Sequence, residues 1–188
     1  MNETNKLYGY HYTNNEAFKS MHDGSYYGKK DLIPVKRFIT LGNGSRTLPW
    51  KAHEGVIEGL LEPEPKSWTE NPEFPNFWGY LMHDICKRKE VILLRFELQP
   101  KDLAFVVDRA YVERELYRQG KGRGKPTKRS MSLACRRYWE SRVRADKYEG
   151  GYSAPQLAIW TPIALDRLEV VWRKPVDEVW NRVLENGW

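Results

Sequence analysis

The run VILLRFEL, residues 91–98, limits the choice of architecture more than any other stretch of this chain. It is rich in β-branched, aromatic and other apolar side chains and reads as a strong strand. AFVVD, 104–108, follows it closely as a second strand, with no helix between them. QLAIW, 156–160, and RLEVVW, 167–172, are two more. Upstream, residues 7–12 alternate as a strand does, and LIPVKRFITL, 32–41, reads as another, entered through Pro34. Helical patterns lie between. Asn14 or Asn15 can cap a short helix with Glu16 in its first turn and Ala17, Phe18 and Met21 on its apolar face. Pro49 suits the first turn of a helix through HEGVIEGLL. Further helices are expected near 77–88, in YVERELYR, over 130–144, and at the C-terminus, where Val176, Val179, Trp180 and Val183 have helical spacing. The strands cluster late and do not alternate regularly with helices. That order predicts an α+β fold with a largely antiparallel sheet, in one domain over residues 1–188, rather than a doubly wound parallel sheet.

The chain has 188 residues, 40% of them hydrophobic and 13% aromatic, enough for a sizeable core and too many for a disordered chain. No apolar run approaches a membrane span, and MNETNKLYGY has no apolar signal core. A cytoplasmic protein is expected, or one delivered into a target cell's cytoplasm, with no membrane partner. Cys86 and Cys135 lie far apart and read as ordinary reduced thiols. His11, His22, His53 and His83 are too scattered for a metal site, so no metal is expected. GKGRGK, 120–125, is not a P-loop, because no strand leads into it and no G-K-[ST] follows. The proline-rich stretch 62–77 reads as a long loop or lid.

Charge is the second strong signal. The net charge is +6, and from Leu116 to Trp139 there is no acidic residue. Arg118, Lys121, Arg123, Lys125, Lys128, Arg129, Arg136 and Arg137 all fall in that interval, interleaved with Tyr117, Tyr138 and Trp139. Phosphates pair with Lys and Arg while bases stack on rings, so the segment is a candidate nucleic-acid surface, against the plainer reading of a solvated basic loop.

Two short motifs remain. In LYGYHYTNN, 7–15, a histidine sits among tyrosines. It is either a core histidine with satisfied hydrogen bonds or a ring that holds a ribose hydroxyl beside a stacked aromatic. In SAPQLAIW, Gln156 shares a face with Ala158 and Trp160. That face is either solvent or a cleft.

LYGYHYTNNEAFKSM resembles the first motif of the ADP-ribosyltransferase superfamily, in which a strand ending in a pattern like "LYHYT" precedes a short helix. It is most similar to the bacterial toxin branch with a His-Tyr-acid/Gln signature. SAPQLAIWTPIALDRLEVV, 153–171, resembles the late strand that carries the family's catalytic acid and the strand returning after it. The resemblance implies a split antiparallel sheet with flanking helices and NAD as co-substrate, with no metal. It implies His11, Tyr12 and Gln156 as the catalytic set. NAD would be held by His11 and Tyr12, with Tyr27 (or Tyr26) or Phe38 as the stacking aromatic and Asn43 in the turn after it. Gln156 stands where most active members have Glu. Glutamine is then native to the branch, or a change that silences the enzyme, or the mark of an inactive relative; Asp108, Glu113 or Glu169 could supply the missing charge.

The expectation is therefore a mono-ADP-ribosyltransferase toxin that modifies a nucleic acid, RNA or DNA, in preference to a protein. A stand-alone toxin of a toxin–antitoxin or phage-defence system, with an antitoxin protein as partner, fits such a chain. The alternatives are a protein-modifying effector and a basic nucleic-acid-binding domain without catalysis.

Overall fold

The computed structural model describes residues 6–23, 57–71, 89–117 and 126–179. The elements are β1 (Tyr8–Asn14), α1 (Asn15–Asp23), β2 (Ile57–Gly59), α2 (Lys66–Thr69), β3 (Glu90–Glu97), β4 (Ala104–Asp108), α3 (Ala110–Tyr117), α4 (Lys128–Glu140), β5 (Val143–Arg144), β6 (Pro155–Ile159) and β7 (Leu168–Pro175). The fold is α+β. The strands form two sheets, a three-stranded one ordered β1-β3-β7 and a four-stranded one ordered β2-β6-β4-β5. Every pairing in both is antiparallel. The expected strand at 32–41, the helix at 77–88 and Cys86 lie outside the described residues.

Local chemistry accounts for the helices. The Asn14 Oδ1 accepts the Ala17 N–H at 2.9 Å, which caps α1, and Glu16 in its first turn complements the helix dipole. In α4 the Thr127 hydroxyl accepts from the Ser130 N–H at 3.0 Å, while the Ser130 hydroxyl accepts from the Thr127 N–H at 3.1 Å, a reciprocal capping box.

Three expectations need correction. The stretch 62–77, read as a long loop, holds the short helix α2 at Lys66–Thr69, and its part beyond 71 lies outside the described residues. HEGVIEGLL is not a helix at Ile57–Gly59, which pairs with Ile159, Ala158 and Leu157 of β6. Helix propensity is a weak prior, and here the backbone groups go to a neighbouring strand instead. The helix expected over 130–144 stops at Glu140, because Val143 and Arg144 pair with Val106 and Phe105.

β3 is the central strand of its sheet and is buried on both faces. Ile92, Leu94 and Phe96 pack with Met21 and Phe18 of α1, while Val91 and Leu93 pack with Ala110, Ala154, Val176 and Val179. That double burial is why its sequence is a nearly continuous apolar run. The α1-side core crosses from one sheet to the other, since Ile57, Val106, Leu157 and Ile159 belong to it as well. On the opposite face of the four-stranded sheet, Val107 and Ala158 are covered by Val112 of α3 and by Met131, Cys135 and Tyr138 of α4. A buried ion pair pins the far end. The Arg167 guanidinium meets both Asp102 carboxylate oxygens, and its Nη2 donates to the Glu97 carbonyl at 2.7 Å. This ties the β3–β4 connection to the one before β7.

Burial on α4 pushes the Cys135 thiol up from 9.0 to about 11. The unfolded chain therefore loses this proton near pH 9 and the folded chain near pH 11, so the contribution is intact below pH 9 and is lost as pH rises from 9 to 11. The expected outcome is that wild-type stability, relative to Cys135→Ala, falls across that window. Thiol alkylation of the folded protein near pH 8 should be slowed about a hundredfold by the scarcity of thiolate, and faster labelling would refute the burial.

Candidate active site at the seam between the sheets

Along the seam the two sheets are joined by one isolated bridge among the described residues. The Tyr10 N–H donates to the Leu60 carbonyl and the Leu60 N–H to the Tyr10 carbonyl, each at 2.9 Å. The chains come this close because residue 59 is glycine. A Cβ there would sit 2.7 Å from the Tyr10 carbonyl oxygen, a contact that backbone cannot relieve by a rotamer change. Gly9 is constrained in a related way, since a Cβ would lie 2.6 Å from the Phe96 ring and 2.9 Å from Leu157.

His11 follows the bridge on β1 and is only 6% exposed. Its Nδ1 lies 2.7 Å from the Glu58 carbonyl oxygen across the seam. A carbonyl only accepts, so Nδ1 carries the proton of this bond, and in the neutral ring the lone pair is on Nε2. Tyr12, also buried, donates its hydroxyl to the Pro63 carbonyl at 2.8 Å and meets Trp172 edge-on at 5.8 Å between ring centres. Tyr12 is thus fixed at both ends.

Gln156 lies on β6, opposite Val107 of β4, and is 4% exposed. The reading of this residue as solvent-facing is excluded. Its Oε1 accepts the Tyr138 hydroxyl at 3.0 Å, which leaves the amide NH₂ as its donor end. Because Gly59 pairs with Leu157, continuing the register places Leu60 and Gln156 side by side. Tyr10, Leu60 and Gln156 therefore form one row across the seam, and His11 begins the next row. His11 and Gln156 are thus one row apart, with β2 between them.

They do not leave the sheet on the same side. His11 is opposite Leu94, whose side chain is in the α1-side core. Gln156 points to the α4 side, with Tyr138.

The three acids considered as helpers have other work. The Asp108 Oδ1 accepts from the Ala110 N–H at 3.0 Å and the Ala154 N–H at 3.1 Å, so it caps α3 and anchors the approach to β6. Glu113 accepts from the buried Arg109 Nε at 2.6 Å. Glu169 is exposed on β7 and pairs with Arg95 at 2.5 Å. A carboxylate that sequence reading did not single out is that of Glu58, half-buried on β2, the strand that lies between β1 and β6. It is opposite Ala158, hence on the same face as Gln156. Two glycines around a short apolar run, GVIEG, were the available signal for a strand with close backbone approach.

Tyr26, Tyr27, Phe38 and Asn43 lie outside the described residues, as do Arg118, Lys121, Arg123 and Lys125. Lys128, Arg129, Arg136 and Arg137 are exposed on α4. Tyr138 is 2% exposed and is no platform for a base. Among the described residues no cluster of metal-ligating side chains occurs and no helix is long and apolar enough to cross a membrane.

Adding the methyl group at Gly59 should force the bridge apart. Gly59→Ala is expected to cost about 1–3 kcal/mol, as overpacking does, seen as a lowered denaturation midpoint. A variant of wild-type stability would mean that the close approach does not hold the sheets together.

The chain matches no family model, no curated protein and no solved structure.

Proposed function

We propose that the protein is a mono-ADP-ribosyltransferase that moves ADP-ribose from NAD to a macromolecular acceptor and releases nicotinamide. The observation that carries this reading is the convergence of His11 and Gln156, 145 positions apart, on neighbouring rows of one seam, with β2 between them. The split between a three-stranded and a four-stranded antiparallel sheet is the architecture that the resemblance implies.

In this reading the residues act as follows. His11, whose Nδ1–H is directed at the Glu58 carbonyl, accepts a hydroxyl of the nicotinamide ribose at Nε2 in its neutral form. Tyr12 shapes the nicotinamide end. The Gln156 amide donates to a ribose oxygen while Tyr138 orients it. Nicotinamide leaves with the electron pair of the glycosidic bond, and positive charge develops on the ribose. Glutamine binds without countering that charge, and a carboxylate nearby would stabilise it. Glu58 is the best-placed acid for this, on the strand between the two motif residues. The acceptor's nucleophile then bonds to the anomeric carbon and gives up its proton.

A nucleic-acid acceptor is favoured by the exposed cations of α4. Toxin activity in a cytoplasm, restrained by an antitoxin, is the setting such chemistry fits.

The test is incubation with labelled NAD and cell extract, divided between nuclease and protease. Nuclease-sensitive label is the expected result, and protease-sensitive label would move the acceptor to protein. His11→Ala should lower transfer at least a hundredfold, and Glu58→Gln should lower turnover more than NAD affinity. Tyr138→Phe, which frees the Gln156 carbonyl to rotate, should lower turnover less than either. Full transfer in His11→Ala, or no NAD binding by the wild type, would end this reading.

A further inference from the structure

One part of the surface is not used by the seam. From residue 126 to 144 the chain carries six cations, Lys128, Arg129, Arg136, Arg137, Arg142 and Arg144, against a single carboxylate, Glu140. On α4 the spacing places Lys128, Ser132, Arg136 and Trp139 on one stripe, about 16 Å long at 1.5 Å per residue. Lys128 and Arg136 are exposed along it, and Trp139 closes its end half-buried.

Trp139 begins an aromatic ladder. Its ring is 5.3 Å from that of Trp160, which follows β6, and Trp160 is 5.5 Å from Phe105 of β4, both pairs edge-to-face. Each end carries a guanidinium. Arg142 lies over Trp139 at 4.5 Å and is pinned by a 3.0 Å bond to the Trp139 carbonyl. Arg144 lies over Phe105 at 5.7 Å, with Asp146 as its ion-pair partner at 3.3 Å. All three rings are half-buried, so each is fixed by the sheet and helix beneath it yet still reaches the surface.

A stripe of cations running into fixed rings capped by arginines matches a chain that alternates phosphates with exposed base faces. We infer that this face binds single-stranded nucleic acid, phosphates along Lys128 and Arg136 and bases against the Arg142–Trp139–Trp160 end. A duplex hides its base faces in the helix stack and gains only the phosphate part of such a surface. An acidic protein offers carboxylates but no regular alternation of phosphates with base faces. This deepens the acceptor half of the proposed function, but binding here needs no NAD and can be read separately.

The experiment is fluorescence anisotropy of the full chain, without NAD, with 12-nucleotide fluorescein-labelled oligo(U) and oligo(dT), across a salt series. Competitors are a duplex of the same length and poly-glutamate. The expected result is salt-sensitive binding of either single strand, at least about tenfold tighter than the duplex or poly-glutamate. Trp139→Leu should weaken it about tenfold or more. Lys128→Ala with Arg136→Ala, at exposed positions that leave the fold alone, should lower the slope of log K against log salt by about 1.4, at about 0.7 per phosphate contact. A preference between the two strands would identify RNA or DNA as the partner. Duplex or poly-glutamate binding as tight as the single strand, an unchanged salt slope in the double variant, or no binding at low salt would overturn the inference. Oligonucleotide binding without labelled transfer would retain this surface and remove the proposed activity; transfer to protein without oligonucleotide binding would do the reverse.

Discussion

The bridge between Tyr10 and Leu60 is the joint on which the arrangement depends. β2 is only three residues long, yet it gives its backbone to β6 on one side and, through Leu60, reaches β1 on the other. Among the described residues the Tyr10–Leu60 contact is the one backbone bridge between the two sheets. The joint is tight because Gly59 has no Cβ to strike the Tyr10 carbonyl. A bridge of two backbone bonds sets register without imposing a continuous ladder. Among the described residues β1 and β2 are thus tied at one point with no ladder beyond it, which makes a seam.

The cores keep that seam in place. On the α1 side, apolar residues of both sheets merge into one cluster, so neither sheet moves without disturbing the other. On the opposite side α3 and α4 cover the four-stranded sheet, and Tyr138 of α4 reaches into it to hold Gln156. A buried glutamine needs partners for its amide, and a buried histidine needs them for its ring nitrogens. In both cases one partner also fixes orientation, the Glu58 carbonyl for His11 and the Tyr138 hydroxyl for Gln156. These bonds are consistent with stable packing, and they are also what a site needs to present Nε2 and an amide NH₂ in fixed directions. The basic face lies across α4 from this buried polar contact, so one helix serves the core, the seam and the charged surface.

Much of the fold was legible because it rests on local rules. The strands at 91–98, 104–108 and 156–160 appear within a residue or so of where pattern places them, and the Asn14 cap opens α1 as expected. β2 was not legible. Three residues are too few for a period, and the apolar run around them fits a helix equally well until a partner strand claims the backbone. Asp108 shows the same limit at a side chain. It reads as a candidate catalytic acid by type, and only the approach of Ala154 reveals it as an anchor. Phe105 and Trp160 carry no motif at all, and their ladder exists because β4 and β6 are neighbours and α4 ends beside them.

By itself, the sequence determined the element types over most of the described chain, the α+β class, β3 as a strand and the concentration of positive charge before Trp139. These follow from periodicity, propensity and composition, which act over a few residues. Only the tertiary structure decided that β2 is a strand, that Gln156 is buried against Tyr138 and that His11 sits one row from it. It also decided that Glu58 shares a sheet face with Gln156. Those facts depend on which backbone groups pair across long separations, and pairing of that kind is settled by the mutual fit of sheets and helices rather than by any segment alone.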